Sequence, residues 1–200
     1  MIRSLANHAI EGHLDEGVQS ANVDGGFTAW LRLDDMEHAR RRREGVGAMT
    51  STGLLSGLWE LPAGVAVPAE ALRPERVRRL RAAPSAAVET EDGFVRSYSP
   101  PGVVLAVAFA GGRADRVLGQ AIRFTPIVRR FAIVGSASLS RRVVNAAAEW
   151  GIGLLQITSD EVRVVVEGAP AELGMPHVYR WWLAENAYDG WLYENAQFCS

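Results

Sequence analysis

The residues able to do chemistry in this chain of 200 residues are unusual in one respect: all 21 basic residues are arginine and none is lysine. This usage fits a GC-rich coding bias. It also excludes any mechanism that needs a lysine amine, because arginine is not deprotonated in a protein and does not replace one. Two arginine groups stand out. Arg40, Arg41, Arg42 and Arg43 form a run flanked by Asp34, Asp35, Glu37 and Glu44. Arg76, Arg78, Arg79 and Arg81, with Arg73, form the second group. Each reads first as the solvated face of a helix, where cations suit the C-terminal end of the dipole. Each also has the composition of a phosphate-contacting patch. The four histidines, His8, His13, His38 and His177, share no metal-like spacing with cysteines or carboxylates, so no metal site is expected. Ser136, Ser138 and Ser140 follow an apolar segment as a nucleophile would, yet Gly135-Ser136-Ala137-Ser138-Leu139 is not a nucleophile elbow. The Gly-, Ser- and Thr-rich stretch 45–57 has anion-binding composition but neither the spacing nor the lysine of a P-loop. Gly151-x-Gly153 lacks the third glycine of a dinucleotide site.

The elements that must position these groups follow from periodicity. Residues 103–109 form a continuous apolar run of buried-strand length, broken at Gly111-Gly112. Ala114, Val117, Leu118, Ala121 and Ile122 then recur on one face of a helix. Residues 131–134 predict a second strand, 141–150 a helix with Ser140 as N-cap, and 152–157 and 162–166 two further strands around a Ser159-Asp160 turn. Upstream, the spacing predicts a short strand at 27–33, a polar helix over 34–44, a helix over 73–82 and a β-hairpin over 86–98 turning at Glu91-Asp92-Gly93. The fold class is α/β of the α+β kind: a central mixed sheet with flanking helices and additions at both termini. Residues 1–85 read as a helical or irregular N-terminal region, 86–170 as the α/β core and 171–200 as an aromatic helical segment, together one compact domain. Net charge of −2 gives no global attraction to polyanions. With Cys199 the one cysteine, no internal disulfide can form, which fits a cytoplasmic setting. No apolar run has the length of a membrane span.

The order of elements over residues 89–166 resembles the core of the PD-(D/E)xK nuclease superfamily, the restriction-endonuclease-like fold. Residues 103–109 stand where that family places its Glu-x-Lys strand. Gln120-Ala121 falls in the following helix, with Phe124 one turn beyond, and the run Ala147-Ala148-Glu149-Trp150-Gly151-Ile152-Gly153-Leu154-Leu155 looks like the family's late helix-to-strand junction. The resemblance implies a Mg²⁺ site built from Glu89, Glu91 and Asp92, with Gln120 orienting water. The chain departs from the pattern at the strand itself, where the matching face carries Ala106 and Ala108 in place of an acid and a lysine. The expectation is therefore a nuclease-like module without catalysis and without a cofactor. It would bind nucleic acid through the arginine groups or a protein partner, a second copy included, through Trp181, Trp182, Tyr188, Trp191 and Tyr193. The alternatives are an active Mg²⁺-dependent nuclease with relocated acids and a structural subunit of a larger assembly. For the C-terminal aromatics, packing in the core is the default reading beside the partner surface.

Overall fold

A computed structural model describes residues 10–12, 14, 17–82, 87–124, 127–135, 139–158, 161–171 and 178–196. Its centre is a six-stranded mixed sheet in the order β1 (Val18–Val23), β2 (Phe27–Leu33), β5 (Gly102–Gly111), β6 (Arg129–Val134), β7 (Gly153–Ile157) and β8 (Val162–Val166). β1, β2 and β5 form an antiparallel meander. β5, β6 and β7 run parallel, and β8 closes the edge antiparallel to β7. The parallel pairs need crossovers. They are supplied by α4 (Ala114–Arg123) between β5 and β6 and by α5 (Arg141–Glu149) between β6 and β7. Ser140 caps α5, its hydroxyl accepting from the Val143 amide, as its place in the sequence predicts.

The connection from β2 to β5 holds the rest of the chain: α1 (Asp35–Glu44), α2 (Thr52–Trp59), a 3₁₀ turn (Ala69–Ala71), α3 (Pro74–Arg81) and the hairpin β3 (Ala87–Thr90) with β4 (Gly93–Arg96). Asp34 caps α1 by accepting from the Met36 and Glu37 amides. The last helix, α6 (Val178–Ala196), returns across the sheet against β1, β2 and β5. It crosses β1 so closely at Gly190 that a side chain there would strike the Asn22 carbonyl.

Three apolar clusters hold this arrangement. On one sheet face, Val107 and Phe109 of β5 and Ala132 and Val134 of β6 meet Val117 and Leu118 of α4, Ala147 of α5 and Leu183, Ala187 and Tyr188 of α6. On the other face, Trp30, Ala106, Ala108, Phe131, Ile133, Leu155 and Ile157 pack with Ile10 and Leu14. The third cluster lies among α2, α3, the hairpin and the start of α6, around Leu55, Leu58, Leu80, Phe94, Tyr98 and Trp181.

The fold is α+β with a central mixed sheet, as the periodicity predicts, but two expectations change in detail. Residues 1–85 supply β1 and β2 to the main sheet, so a boundary at residue 86 would cut the sheet apart. The expected hairpin forms over Ala87–Thr90 and Gly93–Arg96, turning at Glu91-Asp92 between the paired Thr90 and Gly93, yet it is a separate two-stranded ribbon. The strand beside β5 is β2, with Leu33 paired to Gly102. The reason is energetic as well as topological. β2 offers buried Ala29, Trp30 and Leu31 to the sheet, whereas the hairpin inserts Phe94 into the third cluster.

Candidate functional site

The positions that would carry nuclease chemistry are not brought together. Ala106 and Ala108 are fully buried in the second apolar cluster, among Trp30, Phe131 and Ile133. Their neighbours across the β2 pairing are Trp30 and Thr28, so the adjacent strand offers no acid there either. Glu89 sits on the separate ribbon and accepts a bidentate pair from Arg81, Nε at 2.9 Å and Nη2 at 2.6 Å. That hydrogen bond holds the Glu89 carboxyl below its ordinary value. Glu91 and Asp92 are exposed at the ribbon's turn. Gln120 is exposed on α4, which turns Val117, Leu118 and Ala121 to the sheet instead. Among the described residues, no group of three or more His, Cys, Asp or Glu side chains converges as metal ligands. His8, His13, His177, Ser136, Ser138, Cys199 and the Ser159-Asp160 turn lie outside the described residues.

The first arginine run divides by helix geometry. Arg41 turns inward and is fully buried. Its guanidinium forms a fork on Glu185 of α6, Nη1 to Oε2 and Nη2 to Oε1, both at 2.7 Å. Nε donates to Glu37 at 2.8 Å and Nη2 to the Ser99 carbonyl at 2.8 Å. Glu185 is equally buried and also accepts from Trp181 Nε1 and the Met49 amide, each at 2.8 Å. Burial lowers the Arg41 pKa, but the hydrogen bond and charge of Glu185, with Glu37, outweigh it and leave the pKa raised. The rings of Tyr98 and Tyr188 flank the guanidinium, with centroids at 5.0 and 5.4 Å. Such a group ties α1 to α6 and satisfies itself; it presents no charge to a ligand. Arg40 pairs with Glu37 and Glu44 and stacks on Tyr98, 4.1 Å from its centroid. Only Arg42 and Arg43 of the run remain exposed.

The second group is spent in a different way. Arg76 pairs with Glu60, and Arg81 with Glu89. Arg79 reaches the Gly53 carbonyl at 3.5 Å, while Arg78 is exposed. Of the eight arginines expected to meet phosphate, Arg40, Arg41, Arg76 and Arg81 are therefore neutralised by carboxylates within the chain, and Arg41 is corrected from surface to core.

The C-terminal aromatics divide as well. Trp181 and Tyr188 are fully buried, which assigns both to the core and removes them from the expected partner surface. The Tyr188 hydroxyl lies 2.9 Å from His38 Nδ1, and Trp191 Nε1 donates to Gln19. Trp182 and Trp191 are half-buried. Tyr193, with Tyr179 nearly four turns before it, is largely exposed on one side of α6.

One concavity has the character of a site. It is a half-open apolar pocket of about 320 Å³ under Trp59, walled by Trp181, residues 102–105 of β5, Ile127 and Val128. A β-bulge opens it. The β2–β5 register passes from Leu31↔Val104 to Trp30↔Ala106, leaving Leu105 without a partner and reversing the faces of the strand. β5 also begins ahead of β6, whose pairing starts only at Ala106↔Arg129. On its β6 side, the start of β5 therefore has no strand beside it. Trp59 meets Trp181 edge-on at 6.4 Å between centroids. Sequence reading does not reach this pocket, because it depends on the bulge and on the return of α6. The buried Arg41–Glu185 pair was also missed, though a lone acid in the run Trp181-Trp182-Leu183-Ala184-Glu185 is a signal for a paired buried carboxylate.

Compared with protein-family models, with curated proteins and with solved structures, the chain matches none.

Proposed function

We propose that this protein is a non-catalytic module that acts by binding a protein partner. The observation that carries the reading is the burial of Ala106 and Ala108 beneath Trp30 and Phe131, where the nuclease resemblance would need an open, acidic strand face. The expected acids and Gln120 stand apart on exposed positions of a different ribbon and a different helix. The outer side of α6, with Tyr179 and Tyr193 exposed, supports a protein partner, since aromatic residues favour such surfaces. Nucleic-acid binding is the second reading, supported by the exposed Arg42, Arg43 and Arg78. Among the described residues no helix is long and apolar enough to cross a membrane.

The test has two arms. Incubation with single- and double-stranded DNA and RNA in Mg²⁺ or Mn²⁺ is expected to yield no cleavage. Metal-dependent cleavage that disappears in a Glu89→Ala, Glu91→Ala, Asp92→Ala triple variant would overturn the non-catalytic reading. Fluorescence anisotropy with the same nucleic acids, titrated with salt, separates the two binding readings. Affinity falling steeply with salt, and further weakened in Arg42→Ala/Arg43→Ala, would favour the second over the first.

A further inference from the structure

We infer that the pocket under Trp59 is a binding site for an uncharged aromatic small molecule. The inference goes beyond the binding-module reading and does not depend on it. Its volume of about 320 Å³ lies at the lower end of the range of small-molecule sites, roughly 300–1,000 Å³. The walls come from separate elements: the end of α2, the bulged start of β5, the strand entry at Ile127 and Val128, and the first turn of α6. A surface patch produced by one amphipathic element does not have this construction.

The lining sets the ligand chemistry. Trp59, held edge-to-face on the buried Trp181, presents aromatic surface, and aromatic ligands gain most from such walls. Trp59 is 38% exposed and Val103 56% exposed, so the mouth is apolar as well. Among the described residues, Arg180 is the one charged side chain in the lining, and it already holds an interaction within the protein. A cationic ligand would meet that guanidinium. An anionic ligand would lose its water to walls that are apolar apart from that side chain. A buried charge without its own partner is strongly unfavourable, so the pocket selects a neutral ligand. The bulge at Leu105 supports a purpose beyond packing, since bulges recur where a strand must open a site beside it.

The test uses the full chain and the neutral naphthalene probe 6-propionyl-2-dimethylaminonaphthalene. Titration is expected to give saturable enhancement of its fluorescence at one site per chain. Val103→Asp and Ile127→Asp each place a carboxylate at the pocket and should weaken binding at least tenfold. Val164→Asp, an exposed site on β8 outside the lining, should leave affinity unchanged. Thermal melts establish that each variant is folded. As a readout independent of any variant, amide shifts in the ¹⁵N spectrum of the wild type should concentrate at residues 102–105 and Val128. Absence of saturable binding, equal affinity in the pocket variants and wild type, or shifts concentrated elsewhere would overturn the inference.

Discussion

The helices α1 and α3 have nearly the same arginine-rich composition and opposite roles. In α1 two arginines of the run are drawn into the molecule, Arg41 buried on Glu185 and Arg40 held between Glu37, Glu44 and the ring of Tyr98, while Arg42 and Arg43 stay exposed. In α3 no arginine is fully buried: exposed Arg81 pairs with Glu89, and the mostly covered Arg76 pairs with exposed Glu60. A charge run alone does not distinguish a core ion group from a solvated face. The deciding partner, Glu185, lies 144 residues away in sequence.

That contrast is open to direct attack. The largest effect should come from Arg41→Met. Removing one member of a fully buried pair leaves Glu185 uncompensated, which costs about 3–5 kcal/mol. Chemical denaturation should report it. Arg41→Met combined with Glu185→Met should recover much of the loss, because two apolar side chains leave no orphaned charge on α6. If the two substitutions simply add, the two groups are not coupled and the network is misassigned.

Alkaline stability probes the same centre with a smaller effect. Burial raises the pKa of both Tyr98 and Tyr188, opposed for each by nearby arginine charge. The folded state therefore holds the neutral phenols more tightly than the unfolded chain does. Below the ordinary tyrosine value of about 10 both states are protonated and stability is unaffected; above it the unfolded state ionises first and stability falls. Tyr98→Phe should make this loss shallower above that pH in urea melts, because Tyr188 alone of the pair then contributes to it.

On α3 the expected effects shrink further. Arg81→Ala removes an exposed pair and should leave the unfolding midpoint at neutral pH unmoved. At neutral pH Tyr98→Phe should also be without loss, since the buried hydroxyl has no hydrogen-bond partner and the ring keeps its place under Arg40. A clear destabilisation from Arg81→Ala would erase the distinction between the two helices.

Much of the fold was legible because it is local. The apolar run of β5, the Asp-Gly hairpin turn, the Ser140 cap and the alternation from β5 to β8 each follow from a few neighbouring residues. The β2–β5 pairing was not, because the whole helical lobe intervenes between Leu33 and Gly102. Because β2 takes the place beside β5, the hairpin and its acids form a separate ribbon, and the nuclease-like order of elements misleads for the site. The pocket was illegible for a related reason. It arises from one unpartnered residue, Leu105, and from α6 returning to close the far wall. The burial of Trp181 and Tyr188 agrees with the default expected of an aromatic terminal helix. Only the helix register could tell them from exposed Tyr193.

Among the described residues, the buried β5 face and the hairpin acids converge on no metal centre. Isothermal titration of the full chain with Mg²⁺ and with Mn²⁺ tests it most directly. Only heats of dilution are expected, the same for wild type and for the Glu89→Ala, Glu91→Ala, Asp92→Ala triple variant. Saturable binding by wild type that is lost in the triple variant would contradict it and return the hairpin acids to a catalytic role.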